Sequence, residues 1–104
     1  MGLELEGMRK EEIARGNEAR AILEAPLYVE AVETLRDRIN TEWQNSPVRE
    51  TEAREKLWMM LKCLNGVDGH LRVIMETGKL ASLELEQKRT MSQKARDIWD
   101  GMNW

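Results

Sequence analysis

The sequence predicts an all-α protein, and three observations carry that prediction. Apolar residues recur at helical spacing along most of the chain, charged residues make up 34% of it, and there is no Phe and one Tyr. A narrow apolar stripe under a coat of charge is typical of amphipathic helices, whereas a sandwich or barrel would need more β-branched and aromatic residues. We expect a helical hairpin made by the second and third helices, with a short N-terminal helix and a projecting C-terminal helix.

The 104 residues suggest one domain with a modest core. The first predicted segment runs from about Arg9 to Glu24 and follows a flexible N-terminus over residues 1–8; its helix is either short or begins only after Asn17. Its apolar stripe is weak (Ile13, Ala14, Ala21 and Ile22). Gly16 interrupts the stripe, at a cost of roughly 1 kcal/mol relative to alanine in a helix interior. Pro26 ends the segment, because a residue before proline is pushed away from the α region; Pro26 can then open the next helix at its first position.

The second predicted helix, near Pro26 to Asn45, has a clear apolar face. Its members step by three or four residues: Tyr28, Val32, Leu35, Ile39 and Trp43. That spacing predicts one face of an amphipathic helix. The polar turn-forming residues before Pro47 predict the end of this helix.

The third predicted helix begins near Thr51 and has the strongest apolar pattern. Its heptad seam consists of Leu57, Met60, Leu64, Val67, Leu71 and Ile74. Gly78 is a plausible C-terminal stop that supplies a left-handed residue. Gly66 and Gly69 lie inside the helix, and two explanations for them stay open: close approach of another helix where there is no side chain, or a break in the helix. Residues 9–78 therefore form the predicted helical core.

Residues 79–104 are predicted to form a C-terminal helix and an apolar tail. The stretch from Glu84 to Arg89 is nearly all polar, so we expect this helix to project from the core or to lie across another subunit. The tail carries a cluster that we predict to bind a protein partner: Ile98, Trp99, Met102 and Trp104. Apolar anchors flanked by charge are typical of binding hot spots. Three roles stay open for them, namely capping the chain's own core, docking on another copy, and binding a different protein.

Composition and residue spacing argue against several other classes of protein. With one cysteine, Cys63, the chain has no internal disulfide or cysteine-rich zinc site, and a small buried apolar group is the favoured role for that thiol. His70 is the only histidine, and catalytic or metal sites need several convergent groups. We therefore predict no enzyme activity, no cofactor and no metal. No apolar run approaches the roughly 20 residues that span a bilayer, and no signal peptide is apparent, which favours a cytoplasmic protein with no membrane partner.

One stretch points toward nucleic acid. The segment QKRTMSQKAR has no acidic residue and contains four cations: Lys88, Arg89, Lys94 and Arg96. Such a stretch could contact phosphates, and binding would then weaken with salt. Acidic residues precede and follow it and the net charge is −3, so an exposed, mildly basic helix face is the favoured interpretation.

Two stretches between Arg15 and Ala81 resemble a group of short helical proteins of tailed bacteriophages. They are RGNEARAILEAPLYVEAVETLRDRI and REKLWMMLKCLNGVDGHLRVIMETGKLA. The likeness rests on the Pro26 junction, the LWMM run and the TGKL ending. Members of that group tend to be encoded near head and DNA-packaging genes. The resemblance implies a role in the virion or its assembly, located in the host cytoplasm or the virion, and it carries over no active-site residues.

The residues and the resemblance together predict a non-enzymatic phage structural or assembly protein. Its partners would be other copies of itself or phage head proteins. Helices would pack along the seam from Leu57 to Ile74, and the C-terminal tryptophans would anchor a neighbour. Two other classes stay open: a DNA-packaging adaptor of small-terminase type, and a small phage inhibitor of a host protein.

Overall fold

A computed structural model describes residues 2–102 and contains three α-helices in that range. They are α1 (Gly2–Glu24), α2 (Pro26–Asn45) and α3 (Thr51–Met102). The described residues include no strand, which confirms the all-α prediction. The chain divides into two compact units: the first combines the chain up to Glu18 with the chain from Ile74 onward, and the second is Ala19–Val73.

The first helix is longer than predicted. Residues 2–8, predicted to be a flexible N-terminus, are helical, and α1 continues without interruption through Gly16. The predicted apolar stripe is wrong in part, since Ile22 is 44% exposed. The buried positions of α1 are instead Gly16, Ala19 and Leu23. The sequence pattern missed this face because two of its three members have little or no side chain.

The junction of α1 and α2 has the predicted geometry. A single residue, Ala25, separates the helices in an extended conformation (φ −63°, ψ 125°), and Pro26 occupies the first turn of α2. The Ala25 amide donates to the carbonyl of Ile22 at 3.2 Å, and the Val29 amide donates to the carbonyl of Ala25 at 3.0 Å. Proline fits here because the first turn of a helix has no use for its missing amide hydrogen.

The connection between α2 and α3 lies where Pro47 predicts it. The Ser46 hydroxyl donates to the carbonyl of Trp43 at 2.7 Å. Arg54, in the first turn of α3, extends back to the same helix end: its Nη1 donates to the Ser46 carbonyl at 3.2 Å and to the Trp43 carbonyl at 3.3 Å. A cation at this position satisfies carbonyls that lack helical partners and complements the negative end of the helix dipole.

In the second unit, the inward face of α3 differs from the predicted seam. Met60 and Val67 are 53% and 61% exposed, so their assignment to the seam is wrong. The buried or half-buried positions keep a heptad spacing in a different phase: Leu57, Leu61, Leu64, Asp68 and Leu71. Both phases share every second member, and the chain has apolar residues at both 60 and 61. Periodicity alone therefore could not separate them.

Three side-chain hydrogen bonds join α2 and the Ser46 connection to α3 in this unit. They link Tyr28 to Asp68, Arg36 to Asn65, and Ser46 to Arg54. The sequence separation falls from 40 to 29 to 8 residues, so α2 and this part of α3 run in opposite directions. Ile39 of α2 is buried between them as predicted, whereas Leu35 is 45% exposed.

In the first unit, Gly78 does not end a helix, contrary to the prediction. It lies inside α3, and no described glycine has a positive φ. A Cβ at Gly78 would lie 2.9 Å from the Cα of Gly16 and 2.9 Å from the carbonyl oxygen of Glu12. Glycine is needed here because the backbones of α1 and α3 approach too closely for a methyl group. The predicted third and fourth helices are consequently one helix.

Gly66 and Gly69 fit neither of the two explanations that the sequence left open. α3 continues through both residues. A Cβ at either position would meet nothing within 4 Å, so no described group approaches them closely. Nothing in the described part of the chain explains why glycine occupies these positions.

The start of the predicted projecting helix packs against α1. Arg9 Nε lies 2.8 Å from a carboxylate oxygen of Glu84, and Lys88 Nζ lies 3.3 Å from one of Glu6. Together with the glycine contact, these pairs define an antiparallel register of α1 on α3, in which Ala81, only 1% exposed, is a central buried residue. After residue 85, every described residue of α3 is exposed.

Candidate functional site

The C-terminal part of α3 has an uncovered row of large apolar side chains. We call this row the apolar face; its members are Leu80, Leu83, Met91, Ile98 and Met102, with Trp99 at its edge. Their spacing follows the helical repeat, and each is between 56% and 76% exposed. Gln87 and Lys94 lie at the same helical spacing between its members. Several large exposed apolar side chains on one helix face nevertheless indicate an interaction site or an aggregation liability.

The predicted partner-binding residues lie at the end of this face. Ile98, Trp99 and Met102 are helical and are 64%, 65% and 76% exposed. The prediction for Trp104 falls outside the described residues. No described residue covers the three side chains, so the prediction that they bind a partner is neither confirmed nor contradicted by their placement.

A second candidate surface is a basic groove in the same unit. It has a volume of about 430 Å³ and is lined by Glu6, Leu85, Lys88, Arg89, Ser92, Gln93 and Arg96. It therefore brings together three of the four cations proposed for nucleic-acid contact, whereas Lys94 does not line it. Glu6 pairs with Lys88, and the two arginines form no ion pair among residues 2–102. The groove thus keeps an excess of positive charge.

A third surface, the tryptophan hollow, lies in the second unit between α2 and α3. Its volume is about 120 Å³, and its lining is mainly apolar: Ile39, Asn40, Trp43, Leu57, Trp58 and Leu61. Trp43 is 37% exposed and Trp58 is 54% exposed. Each ring has a cation over it, with Arg54 4.0 Å from the centroid of Trp43 and Lys62 5.1 Å from that of Trp58.

A polar triad, formed by Tyr28, Asp68 and Arg72, crosses the α2–α3 contact. The Tyr28 hydroxyl donates to one Asp68 oxygen at 3.0 Å, and Arg72 Nε donates to the other at 2.7 Å. The Asp68 side chain is only 13% exposed. Apolar periodicity did not find this residue, because the neighbouring Val67 is apolar and fits the predicted heptad phase, whereas Asp68 is polar.

Hydrogen bonding and burial shift the pKa values of the triad. The bond from Arg72 lowers the pKa of Asp68 below its usual value, against the opposing effect of burial. Burial, and then the bond to Asp68, raise the pKa of Tyr28, and the same carboxylate raises the pKa of Arg72. Asp68 is therefore a firmly ionised carboxylate with both oxygens engaged. Such a group suits a structural contact between helices better than proton transfer.

The remaining candidate groups do not converge. His70 and Cys63 are both exposed, so the predicted burial of the thiol is wrong: it lies on α3 outside the inward-facing positions. Within residues 2–102, no three His, Cys, Asp or Glu side chains are placed to hold a metal ion. None of the described helices is long and apolar enough to cross a membrane.

Comparisons with known proteins found no protein family, curated protein or solved structure that matches this chain. The resemblance to short helical phage proteins stays a prediction. Function is therefore argued from the three surfaces.

Proposed function

We propose that this chain is a non-enzymatic assembly protein that binds other copies of itself through the apolar face of α3. The observation that carries the proposal is the row of six large apolar side chains, each more than half exposed. Full burial of a wholly exposed side chain of this kind contributes about 1.5–3 kcal/mol, and each of these partly exposed side chains contributes a proportional part of that. Association of two copies can cover several at once, which offsets the entropy lost on binding.

The biological setting of the proposal is a bacteriophage head or its packaging apparatus. This part comes from the resemblance of residues 15–81 to phage proteins. The antiparallel contacts of α2 with α3 support the helical hairpin that we include in the proposal. The half-buried Tyr28–Asp68 hydrogen bond would fix the register of that hairpin, as single polar seam residues do in coiled coils.

The test is the solution mass measured by light scattering over a range of protein concentrations. We expect the wild-type chain to exceed its monomer mass of 12.1 kDa, and the double variant Met91→Gln with Ile98→Gln to approach it. Ser92→Gln is the matched control, because it places the same side chain in the same helix but outside the apolar face. A wild-type chain that stays monomeric at all concentrations would refute the proposal.

A second candidate function, a DNA-packaging adaptor, is favoured by the basic groove. If phosphates occupy that groove, Arg89→Ala and Arg96→Ala should each lower the slope of log affinity against log salt by about 1. Lys94→Ala is the control, because Lys94 lies outside the groove and should change the slope least. Equal effects of all three substitutions, or no binding of duplex DNA, would reject this candidate.

A further inference from the structure

We infer that the tryptophan hollow is the docking site for the C-terminal segment of a second copy, with Ile98 entering the hollow. This inference rests on the proposed self-association and specifies which surfaces meet. The segment consists of residues 97–102 of α3. It includes Asp97 and Asp100, which flank the exposed Ile98 and Trp99. The segment and the hollow match in size, apolar character and charge.

The size of the hollow suits one aliphatic side chain. It has a volume of about 120 Å³, whereas a cavity of about 150 Å³ lined by apolar side chains holds benzene in a well-studied protein. Ile98 is 64% exposed and has no described side chain covering it. Trp99 follows Ile98 directly in the chain, and Trp58 lines the hollow with 54% of its surface exposed, so the proposed contact includes an aromatic pair, which stabilises a contact beyond the area it buries.

The charges of the two surfaces are complementary. Arg54 and Lys62 lie over the two tryptophans of the hollow, and neither forms an ion pair within the described part of the chain. On the segment, Asp97 accepts a hydrogen bond from Gln93, four residues earlier in the same helix, and forms no ion pair among residues 2–102. The two cations beside the hollow, Arg54 and Lys62, therefore complement the two carboxylates of the segment, Asp97 and Asp100. Glu55, which lines the neighbouring depression with Arg54, is the nearby acidic side chain that opposes this match.

The pairing has a consequence for assembly. The hollow and the segment are different surfaces, so each copy offers one of each and the contact is head-to-tail. Contacts of this kind generate rings when the rotation closes and open filaments when it does not. A face-to-face pairing of two apolar faces would stop at a dimer. Stoichiometry therefore distinguishes the two arrangements.

The experiment is complementation between two variants, followed by light scattering. Trp58→Ala damages the hollow and keeps the segment, whereas Ile98→Asp damages the segment and keeps the hollow. We expect each variant alone to be monomeric, and an equimolar mixture to form a heterodimer of twice the 12.1 kDa chain mass and nothing larger. Met59→Ala is the matched control, because Met59 is equally exposed (59%) but does not line the hollow, and it should assemble like the wild type.

A charge exchange keeps the inference testable if Trp58→Ala disturbs the fold, which circular dichroism would show. Lys62→Glu should raise the dissociation constant at least tenfold, and a partner chain carrying Asp97→Lys and Asp100→Lys should restore it. One outcome would overturn this inference and leave the proposed function standing: Trp58→Ala and Lys62→Glu still assemble like the wild type, whereas the double variant Met91→Gln with Ile98→Gln does not. A monomeric wild type would overturn both.

Discussion

Introducing a methyl group at the contact between Gly16 and Gly78 should separate α1 from α3. In Gly78→Ala, the new Cβ would lie 2.9 Å from the Cα of Gly16 and from a carbonyl oxygen of Glu12. Carbon atoms prefer separations of about 3.5–4.0 Å, so the helices must move apart by roughly 0.5–1 Å. Both obstructing atoms belong to the backbone, and no side-chain rotation relieves the overlap.

Two opposing contributions determine the size of the effect. Alanine is favoured over glycine in a helix interior by about 1 kcal/mol, whereas overpacking a well-packed contact costs about 1–3 kcal/mol. We therefore expect Gly78→Ala and Gly16→Ala to lower the free energy of unfolding by about 0–2 kcal/mol. The comparison is sharper with controls: at Gly7 of α1 and Gly66 of α3, a Cβ meets nothing within 4 Å. Alanine at either control position should raise the free energy of unfolding by up to about 1 kcal/mol.

The assay is urea and thermal unfolding followed by circular dichroism at 222 nm. Each contact variant is compared with the control in the same helix, Gly16→Ala with Gly7→Ala and Gly78→Ala with Gly66→Ala. The expected difference within each pair is about 1–3 kcal/mol, and each kcal/mol corresponds to roughly 4–8 °C in Tm for a domain of this size. If Gly78→Ala and Gly16→Ala stabilise the protein as much as their controls do, the close approach of α1 and α3 is not present in solution.

Three further predictions concern polar contacts. Asp68 has a lowered pKa in the folded chain, chiefly because of the hydrogen bond from Arg72, so its contribution to stability is complete above the pKa of an unfolded aspartate and disappears as the pH falls through the lowered value. Asp68→Asn should therefore flatten the acid side of a stability–pH curve, and an unchanged curve would contradict the hydrogen bond from Arg72. Arg54→Ala removes the cation over Trp43 and three hydrogen bonds at the end of α2, so the urea midpoint should fall by an amount equivalent to about 1–2 kcal/mol, with Arg54→Lys recovering only part of it. Arg9→Ala removes ion pairs whose groups are 30% to 54% exposed. The free energy of unfolding should fall by less than about 1 kcal/mol, and this decrease should vanish in molar salt. A larger or salt-independent decrease would show that Arg9 contributes through packing.

Helix boundaries could be predicted from the sequence wherever a single residue type determines the backbone conformation. Pro26 fixes a helix start because its φ is already helical and its missing hydrogen is not needed there. The polar residues before Pro47 ended α2 as predicted. The all-α class followed from apolar periodicity and from the scarcity of aromatic residues, and both are properties of the chain alone.

The candidate surfaces could be predicted only in part from the sequence. The clustering of Ile98, Trp99 and Met102 near one end is visible in the sequence, and so are the four basic residues. Whether Arg96 and Lys94 share a groove depends on which side of α3 faces α1. The hollow beside Trp58 depends on how two helices pack, and residues 20 positions apart or more meet there.

The contacts of backbone and side chains between helices followed from the packing of the helices and not from any one segment. From the sequence, a glycine within a helix is interpreted as a weak position or as the end of the helix. The reason is that a single segment reveals only the conformational free-energy cost of glycine in a helix. Gly78 instead lies in the middle of α3, where the close contact with Gly16 leaves no room for a side chain. The seam phase followed the same rule: Leu61 and Asp68 face inward because of what α2 presents to them, notably the hydroxyl of Tyr28. Local sequence therefore determined that the chain is helical and where α2 begins and ends, and the partner helix determined which face of each helix is buried.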